Sequence, residues 1–307
     1  MLIFVIRRIL QMVPVALGVS FIVFAMLHLI PGDPAITIAG EAADPAQVEQ
    51  LRENLGLNDP FLVQYGRYLG RLVQGDMGTS IRSSRPVVYE IFSRRFFITV
   101  ELAVVATAFT SLLGLLIGVT SATWRHSPLD VALMLFSLIG LAMPNFWLGI
   151  LLMRFLGVQL GLFPLTGWDS LMHMVLPALT LGLGGSALIA RMTRASLLDV
   201  LSKDYIRTAR AKGLSERVVM YKHALRNALI PVITVVGLSF GSMLTGAILT
   251  ETIFAINGMG RLIVDSIRDR DFPVAQGAIL VTSMMFVLVN CVVDVVYRLV
   301  NRRMDLN

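Results

Sequence analysis

Asp204–Pro231 reads DYIRTARAKGLSERVVMYKHALRNALIP and is the one long, strongly basic segment of an otherwise apolar chain. All three lysines of the protein lie in it or directly before it, and four arginines accompany them. Gly213 divides this basic segment, because glycine reaches the left-handed backbone angles that end a helix. We predict a first short helix over about Tyr205–Lys212 and a second helix that Ser215 caps with its side chain.

The second helix is predicted to bury an apolar face and to turn its basic side chains to water. The residues of that face are Val218, Val219, Ala224 and Leu225. A rigid pair of helices between membrane spans is a good shape for contacting another protein. An ordinary basic loop explains the composition about equally well, because such loops are common on the cytoplasmic side of membranes.

The composition excludes a soluble domain. Hydrophobic residues make up 56% of the 307-residue chain and charged residues 15%, whereas a typical soluble chain is about 25% charged. The net charge of +6 does not predict binding to nucleic acid, because the basic residues flank apolar stretches, as they do beside a cytoplasmic leaflet. Cys291 is the only cysteine, so no disulfide and no cysteine-based metal cluster can form.

Six apolar stretches are long enough to cross a bilayer, which takes about 20 residues. They are Ile9–Ile30, Ile98–Ala122, Val131–Leu156, Met172–Ala190, Ala228–Thr250 and Val274–Val300. The first exceeds the usual core of a signal peptide, so we predict a retained span. With both termini inside, the basic segment and Arg298, Arg302 and Arg303 all lie on the cytoplasmic side, as the positive-inside rule favours. The predicted fold is an all-α, polytopic membrane protein with six transmembrane helices, N-in/C-in.

Residues 31–97 then form a long extracytoplasmic loop. Pro45–Leu55 and Phe61–Val73 have the apolar spacing of helices. The spaced residues are Val48, Leu51 and Leu55 in the first, and Leu62, Tyr65, Leu69 and Leu72 in the second. Gly56 is predicted to end the first helix, and Gly75-Asp76-Met77-Gly78 to form a turn. We predict a small folded cap that lies against the membrane surface rather than a ligand site.

Small residues four apart predict close packing between spans. These pairs are Gly114 with Gly118, Gly182 with Ser186, and Gly237 with Gly241. Pro144 is predicted to kink the third span, because proline removes a backbone donor and clashes with the preceding turn. Glu101, Arg154 and Asp294 lie near span ends rather than at the centre, which argues against a proton-driven antiporter. Polar or soft residues that could line a route for a polar solute, with helix packing as the alternative, are Met143, Asn145, Ser239, Ser242 and Met243.

Motifs for catalysis are missing from the sequence. It contains no G-x-x-x-x-G-K-[ST] phosphate loop, no H-E-x-x-H zinc motif and no G-x-S-x-G nucleophile motif. The four histidines are scattered along the chain. We therefore expect no catalytic residue, no metal site and no cofactor in this chain, and an energy source in another subunit.

Asp204–Gly213, and His223–Ala228 followed by Pro231, resemble the cytoplasmic loop of ABC importer permeases of the dipeptide/oligopeptide/nickel (glutathione) group. The other matching stretches are Pro31–Pro34, Gly75–Ser80, Arg191–Arg194, Glu251–Phe254, Gly258–Arg261 and Arg270–Val274. Thr208–Ala211 stands where the general importer signature has a Glu-Ala-Ala triplet, and the gap from Gly213 to Pro231 is longer. The peptide-type group shares both departures.

The resemblance implies a type I ABC importer transmembrane fold. Residues 1–97 would be the first transmembrane helix plus the extracytoplasmic loop, and residues 98–303 a five-helix transmembrane domain that includes a coupling loop at 191–227. It also implies a multi-pass subunit of the bacterial plasma (inner) membrane. This subunit would pair with a second, similar permease subunit and with two ATPase subunits that bind ATP and Mg. An extracytoplasmic substrate-binding protein would deliver the solute.

The resemblance assigns ATPase coupling to a short run of the basic segment. That run is Ala209, Arg210, Ala211, Lys212, Gly213, Leu214 and Ser215. The implied cargo is a dipeptide or oligopeptide, with glutathione, a nickel chelate or haem as alternatives. A stand-alone secondary carrier or channel, and a purely structural membrane partner, are further classes that the residues leave open.

Overall fold

The computed structural model describes residues 2–29, 34–40 and 43–300. The first three residues of the Pro31–Pro34 match, and Arg302 and Arg303, lie outside these ranges. Within them the chain is helical and has no β-strand. The α-helices are α1 (Leu2–Leu29), α2 (Pro34–Ala39), α3 (Pro45–Leu55), α4 (Phe61–Val73), α5 (Val87–Phe92), α6 (Arg95–Thr123), α7 (Pro128–Ala142), α8 (Asn145–Leu152), α9 (Leu171–Leu201), α10 (Asp204–Ala211), α11 (Glu216–Val218), α12 (Arg226–Ile253), α13 (Met259–Arg268) and α14 (Phe272–Val300).

Two segments have π-helical rather than α-helical hydrogen bonding. Met153–Gln159 continues α8, and Val219–Leu225 joins α11 to α12. Such segments are rare and occur often at functional sites. The second one lies inside the basic segment that opens the sequence analysis.

The third predicted span is a pair of helices rather than one kinked helix. α7 and α8 meet at an angle of 106°. Met143 between them is extended, with φ −78° and ψ 127°, because the ring of Pro144 pushes the preceding residue out of the helical region. The other five predicted spans fall on helices of sufficient length and apolarity, so the described residues contain six spans when the bent pair is counted as one of them.

Contacts along α9 indicate that the bent pair crosses the membrane. Asp130 at the start of α7 bonds Arg194, and a Cβ added at Gly140 would lie 3.3 Å from the carbonyl oxygen of Leu183. A Cβ at Gly149 in α8 would lie 3.2 Å from Thr180. From the start of α7 to α8, the contacted position on α9 moves from residue 194 to residue 180, a distance of about 21 Å along the helix axis.

Thr99–Ile256, together with the chain from Leu288, forms one compact unit, and α9 is its central helix. α7, α8 and α12 all contact α9. α6 also lies very close to it, since a Cβ added at Gly114 would be 2.7 Å from Ile189 and one at Gly118 would be 2.6 Å from the carbonyl oxygen of Ala190. The predicted small-residue packing is therefore confirmed in α6, and a Cβ at Gly237 of α12 would likewise meet Val293 at 2.7 Å.

The chain up to Ile98, together with Asn257–Val287, forms the other compact unit. Its helix α3 has the predicted bounds and ends at Gly56 with φ 64°, as expected. α4 also has the predicted bounds, but Leu62 is 72% exposed, so the predicted apolar face is wrong at that residue. The face is aromatic instead, because the rings of Phe61, Tyr65 and Tyr68 pack around Phe24 of α1.

The end of the extracytoplasmic loop folds onto α13 and α14 within this unit. Val87 and Ile91 of α5 are fully buried in a cluster with Met259 and other apolar residues of α13 and α14. The carboxylate of Asp271 accepts a hydrogen bond from the Ser80 hydroxyl and one of 3.1 Å from the backbone N–H of Ile81. The predicted folded cap is thus anchored by both apolar packing and a buried carboxylate.

Candidate functional site

The basic segment forms two helices joined by a tight turn at Gly213. α10 ends one residue before the predicted boundary, and Gly213 has φ 80°. The N–H of Gly213 donates to the carbonyl of Arg210 over 2.9 Å, and the N–H of Leu214 donates to the carbonyl of Ala209 over 3.4 Å. This pair of bonds is a Schellman motif, which requires a left-handed residue at the position of Gly213.

An ion pair fastens the two helices across this turn. The Arg210 guanidinium donates to the Glu216 carboxylate through Nε (2.7 Å) and Nη2 (3.2 Å), and these hydrogen bonds raise the pKa of Arg210 above its usual value. Ser215 occupies the N-cap position, but its side chain makes no capping bond. The predicted Ser215 cap is therefore wrong, and the Arg210–Glu216 ion pair joins the start of the second helix to α10 instead.

The π-helical segment decides which residues of the second helix are buried. Val219 and Ala224 are fully buried, and they are five residues apart, the spacing of the i→i+5 hydrogen bond of a π-helix. Val218 is 37% exposed, so its predicted place in the apolar face is wrong. That prediction assumed α-helical spacing throughout, whereas the residues after Val218 are π-helical.

One apolar cluster joins the basic segment to three membrane-spanning helices. Ile206 of α10 is fully buried there. The neighbours from the spans are Ala122 of α6, Leu197 of α9 and Ala228 of α12. A hydrogen bond of 3.0 Å from Asn227 to the Tyr205 hydroxyl further ties α10 to the start of α12. α10 is therefore packed directly against the ends of three spans.

The predicted coupling run separates into one buried residue and six exposed ones. Ala209 is only 9% exposed and packs into the apolar cluster. The exposed residues are Arg210, Ala211, Lys212, Gly213, Leu214 and Ser215. Leu214 is a 39% exposed apolar side chain at the tip. Ala209 thus anchors the run in the apolar cluster, and the six residues that follow form its exposed surface.

Asp130 and Arg194 form a partly buried ion pair that the sequence analysis did not find. The guanidinium donates through Nε (2.9 Å) and Nη2 (2.7 Å) to the two carboxylate oxygens. The Ser121 hydroxyl and the backbone N–H of His126 also donate to Asp130. One signal was available: Ser127 caps α7 by accepting from the N–H of Asp130, and a serine with an acidic residue three positions later is a capping-box pattern.

The predicted pathway residues do not form one surface of this chain. Ser239 and Met243 of α12 are buried, and Met243 accepts a hydrogen bond from Thr107 of α6. Ser242 and Asn145 are exposed, and Met143 is half-buried at the break between α7 and α8. Of the five, only Met143, Asn145 and Ser242 therefore lie where a solute or another subunit could reach them.

No group of three metal-binding side chains occurs among the residues that the structure describes. The expectation that this chain has neither a metal nor a cofactor stays a prediction.

Comparison with known families assigns the whole chain. Residues 114–306 match the family model described as binding-protein-dependent transport system inner membrane component. The chain belongs to this family. Residues 1–103 match the model for the N-terminal part of the same membrane component. The permease is thus a multi-pass inner-membrane protein of the dipeptide, oligopeptide and glutathione group, as the resemblance implied.

Curated relatives match the permease over nearly its full length. The glutathione transport system permease protein GsiC of Salmonella paratyphi A is 47% identical over 301 residues, which cover 98% of each chain. The dipeptide transport system permease protein DppB of Alkalihalophilus pseudofirmus is 43% identical over 331 residues, covering 99% of each chain.

Solved structures support the fold. A chain of the MetNI methionine ABC transporter, in an inward-facing conformation, has a TM-score of 0.60 at 19% identity, covering 69% of the permease and 96% of that chain. A chain of an amino acid ABC transporter has a TM-score of 0.54 at 17% identity, covering 67% and 92%. At these identities the likeness concerns the fold alone, and it confirms a type I importer architecture.

Proposed function

We propose that the permease forms half of the translocation pathway of an ATP-driven importer of small peptides. Two ATPase subunits would bind ATP and Mg and drive it, a second permease subunit would form the other half, and an extracytoplasmic binding protein would deliver the solute. Family membership supports the general class. The permease itself would hold no cofactor and catalyse no reaction.

The observation that carries the coupling role is the packing of α10. Its inner residues Ile206 and Ala209 are buried against the ends of α6, α9 and α12, while residues 210–215 are exposed. A force applied to the exposed run is transmitted by close-packed side chains, because protein interiors yield little to compression. Movement of a docked ATPase would therefore displace three spans together.

Small peptides are the proposed cargo. Relatives named for glutathione and for dipeptides are both similar to the permease over its full length, and glutathione is itself a small peptide. Nickel chelates and haem are the alternatives that uptake assays must exclude. Among the predicted pathway residues, exposed Asn145 and Ser242 are the polar groups best placed to meet such a solute.

The test reconstitutes the complete transporter, with its ATPase subunits and binding protein, in proteoliposomes. Labelled glutathione and a labelled dipeptide are offered with ATP inside or outside the vesicles. A nickel chelate and haem are offered in separate assays. We expect ATP-dependent accumulation of at least one of the two peptides. Equal accumulation without ATPase subunits would indicate a secondary carrier or channel and overturn the proposal.

A variant of the exposed run separates coupling from folding. Leu214→Asp puts a charge at an exposed apolar position in the tip, so the permease should fold normally but lose most peptide uptake. The matched control is Leu55→Asp, a 41% exposed leucine at the end of α3. Similar uptake in both variants would contradict an ATPase contact at residues 209–215.

A further inference from the structure

A cavity of about 830 Å³ opens beside α10, at the ends of α6 and α9. Four guanidinium groups line it, those of Arg125, Arg207, Arg210 and Arg217, and Glu216 is the single carboxylate in the lining. Since Glu216 is taken by Arg210, the remaining lining has a charge of +3. This concentration of positive charge favours an anionic ligand.

Two of these arginines have no acidic partner in the part of the chain that the structure describes. Arg125 follows the end of α6, and Arg217 lies in α11. Neither makes an ion pair there, whereas Arg207 has Asp204 at 3.5 Å on an open surface. An ion pair between exposed side chains is weak, so Arg207 is also available to a ligand.

The rest of the lining is amphipathic. Leu198, Leu201 and Met220 provide an apolar wall. Trp124 and Tyr221 also line the cavity and are 61% and 60% exposed. Trp and Tyr concentrate at the level of lipid headgroups, where one side of the ring is apolar and the other is wet. α6 and α9, two helices long and apolar enough to span a membrane, end beside the cavity, which places it toward one face of the bilayer.

We propose that this cavity is a binding site for a phosphate-bearing headgroup. Guanidinium groups bind phosphate oxygens through paired, charge-assisted hydrogen bonds, and basic pockets between spans on the cytoplasmic side bind anionic lipid headgroups. The aromatic rim and the apolar wall favour an anionic phospholipid over a soluble phosphate, which would use only the guanidinium groups. Arg210 belongs both to this lining and to the run 209–215, whereas Arg125 and Arg217 lie outside that run and carry the test of the site.

The test uses the complete transporter, stripped of lipid in detergent. Its thermal midpoint is followed while phosphatidylglycerol, phosphatidylcholine or inorganic phosphate is added, and retained lipids are identified by native mass spectrometry. We expect phosphatidylglycerol to raise the midpoint and to remain bound. A rise of the same size with inorganic phosphate would support the phosphate site with a soluble source.

Variants assign the effect to the cavity. Arg125→Gln with Arg217→Gln should raise the phosphatidylglycerol concentration that gives half of the rise by about a hundredfold or more, since two charged hydrogen bonds to the phosphate are lost. Arg125→Lys with Arg217→Lys keeps the charge and should restore most of the response. Arg226→Gln, an exposed arginine outside the lining, is the matched control.

Two results would overturn the proposal. One is a glutamine double variant that responds to phosphatidylglycerol exactly as the parent does. The other is loss of the ATPase subunits from the glutamine double variant during purification, with Arg226→Gln intact, since the cavity would then belong to the ATPase contact surface. Failure of the peptide-uptake assay alone would leave the lipid result unaffected.

Discussion

Arg194 of α9 holds the carboxylate of Asp130 through two hydrogen bonds of 2.9 and 2.7 Å, across 64 residues of sequence. The Asp130 side chain is 6% exposed. Because Asp130 also accepts from Ser121 near the end of α6, the pair joins three helices at the end of the bundle that carries α10. The pair therefore fixes the turn between α6 and α7 to α9, the helix that precedes the basic segment.

Removing one partner of this pair should destabilise the permease. Asp130→Asn removes the negative charge and one of the two acceptor oxygens that face Arg194, and a hydrogen bond to a charged group contributes about 1.5–3 kcal/mol. We expect a lower thermal midpoint for the purified transporter. Ser121→Ala should cost less because it removes one neutral donor. If Asp130→Asn and Arg194→Gln each matched the parent midpoint, the pair would have no structural role.

Gly213 should be sensitive to backbone strain alone. A Cβ at this position would meet nothing within 4 Å, but φ is +80°, which costs an ordinary L-residue about 1–2 kcal/mol. Gly213→Val should therefore distort the turn and lower peptide uptake per ATP hydrolysed. Gly213→Asn is the control, because asparagine tolerates left-handed angles. Equal coupling ratios in the two variants would show that the turn geometry is unimportant.

Close packing of α6 on α9 predicts that even alanine is too large at Gly118. The added Cβ would lie 2.6 Å from the carbonyl oxygen of Ala190, and overpacking of this kind costs about 1–3 kcal/mol. Gly18→Ala in α1 is the matched control, since its Cβ would meet nothing within 4 Å. We expect a lowered thermal midpoint for Gly118→Ala only. A lowered midpoint for both variants would point to a general effect of alanine.

The features that could be predicted from the sequence are those set by local chemistry. Gly213 ends α10 because of its backbone freedom, and Pro144 breaks the third span because its ring restricts Met143. Both effects act within a few residues, and single positions reveal them. The assignment of coupling to residues 209–215 rests on family resemblance and stays a prediction.

Other features depend on the three-dimensional arrangement. The pairing of Asp130 with Arg194 joins distant residues, and no local pattern specifies which arginine a capping-box carboxylate will meet. Val219 and Ala224 are buried in a π-helical turn, which apolar spacing alone does not distinguish from an α-helical turn. The aromatic face of α4 likewise depends on Phe24 in α1.

Topology provides a direct test of the bent pair. The structure puts Arg125 and Arg210 in the lining of one cavity, so the ends of α6 and α10 lie on the same side of the membrane. The bent pair and α9 must then form a hairpin of two spans. In a Cys291→Ser background, Arg125→Cys and Lys203→Cys, a 52% exposed position directly before α10, should both be shielded from an impermeant thiol reagent in intact spheroplasts and should react after permeabilisation.

Two further cysteines report the opposite side. Gln74→Cys in the extracytoplasmic loop and Leu162→Cys, a 55% exposed position between the bent pair and α9, should react in intact spheroplasts. The positive-inside rule predicts this assignment of sides, because it puts the basic segment on the cytoplasmic side. If Leu162→Cys instead behaved like Arg125→Cys, the bent pair would be re-entrant. The permease would then have five spans, and its two ends would face opposite sides of the membrane.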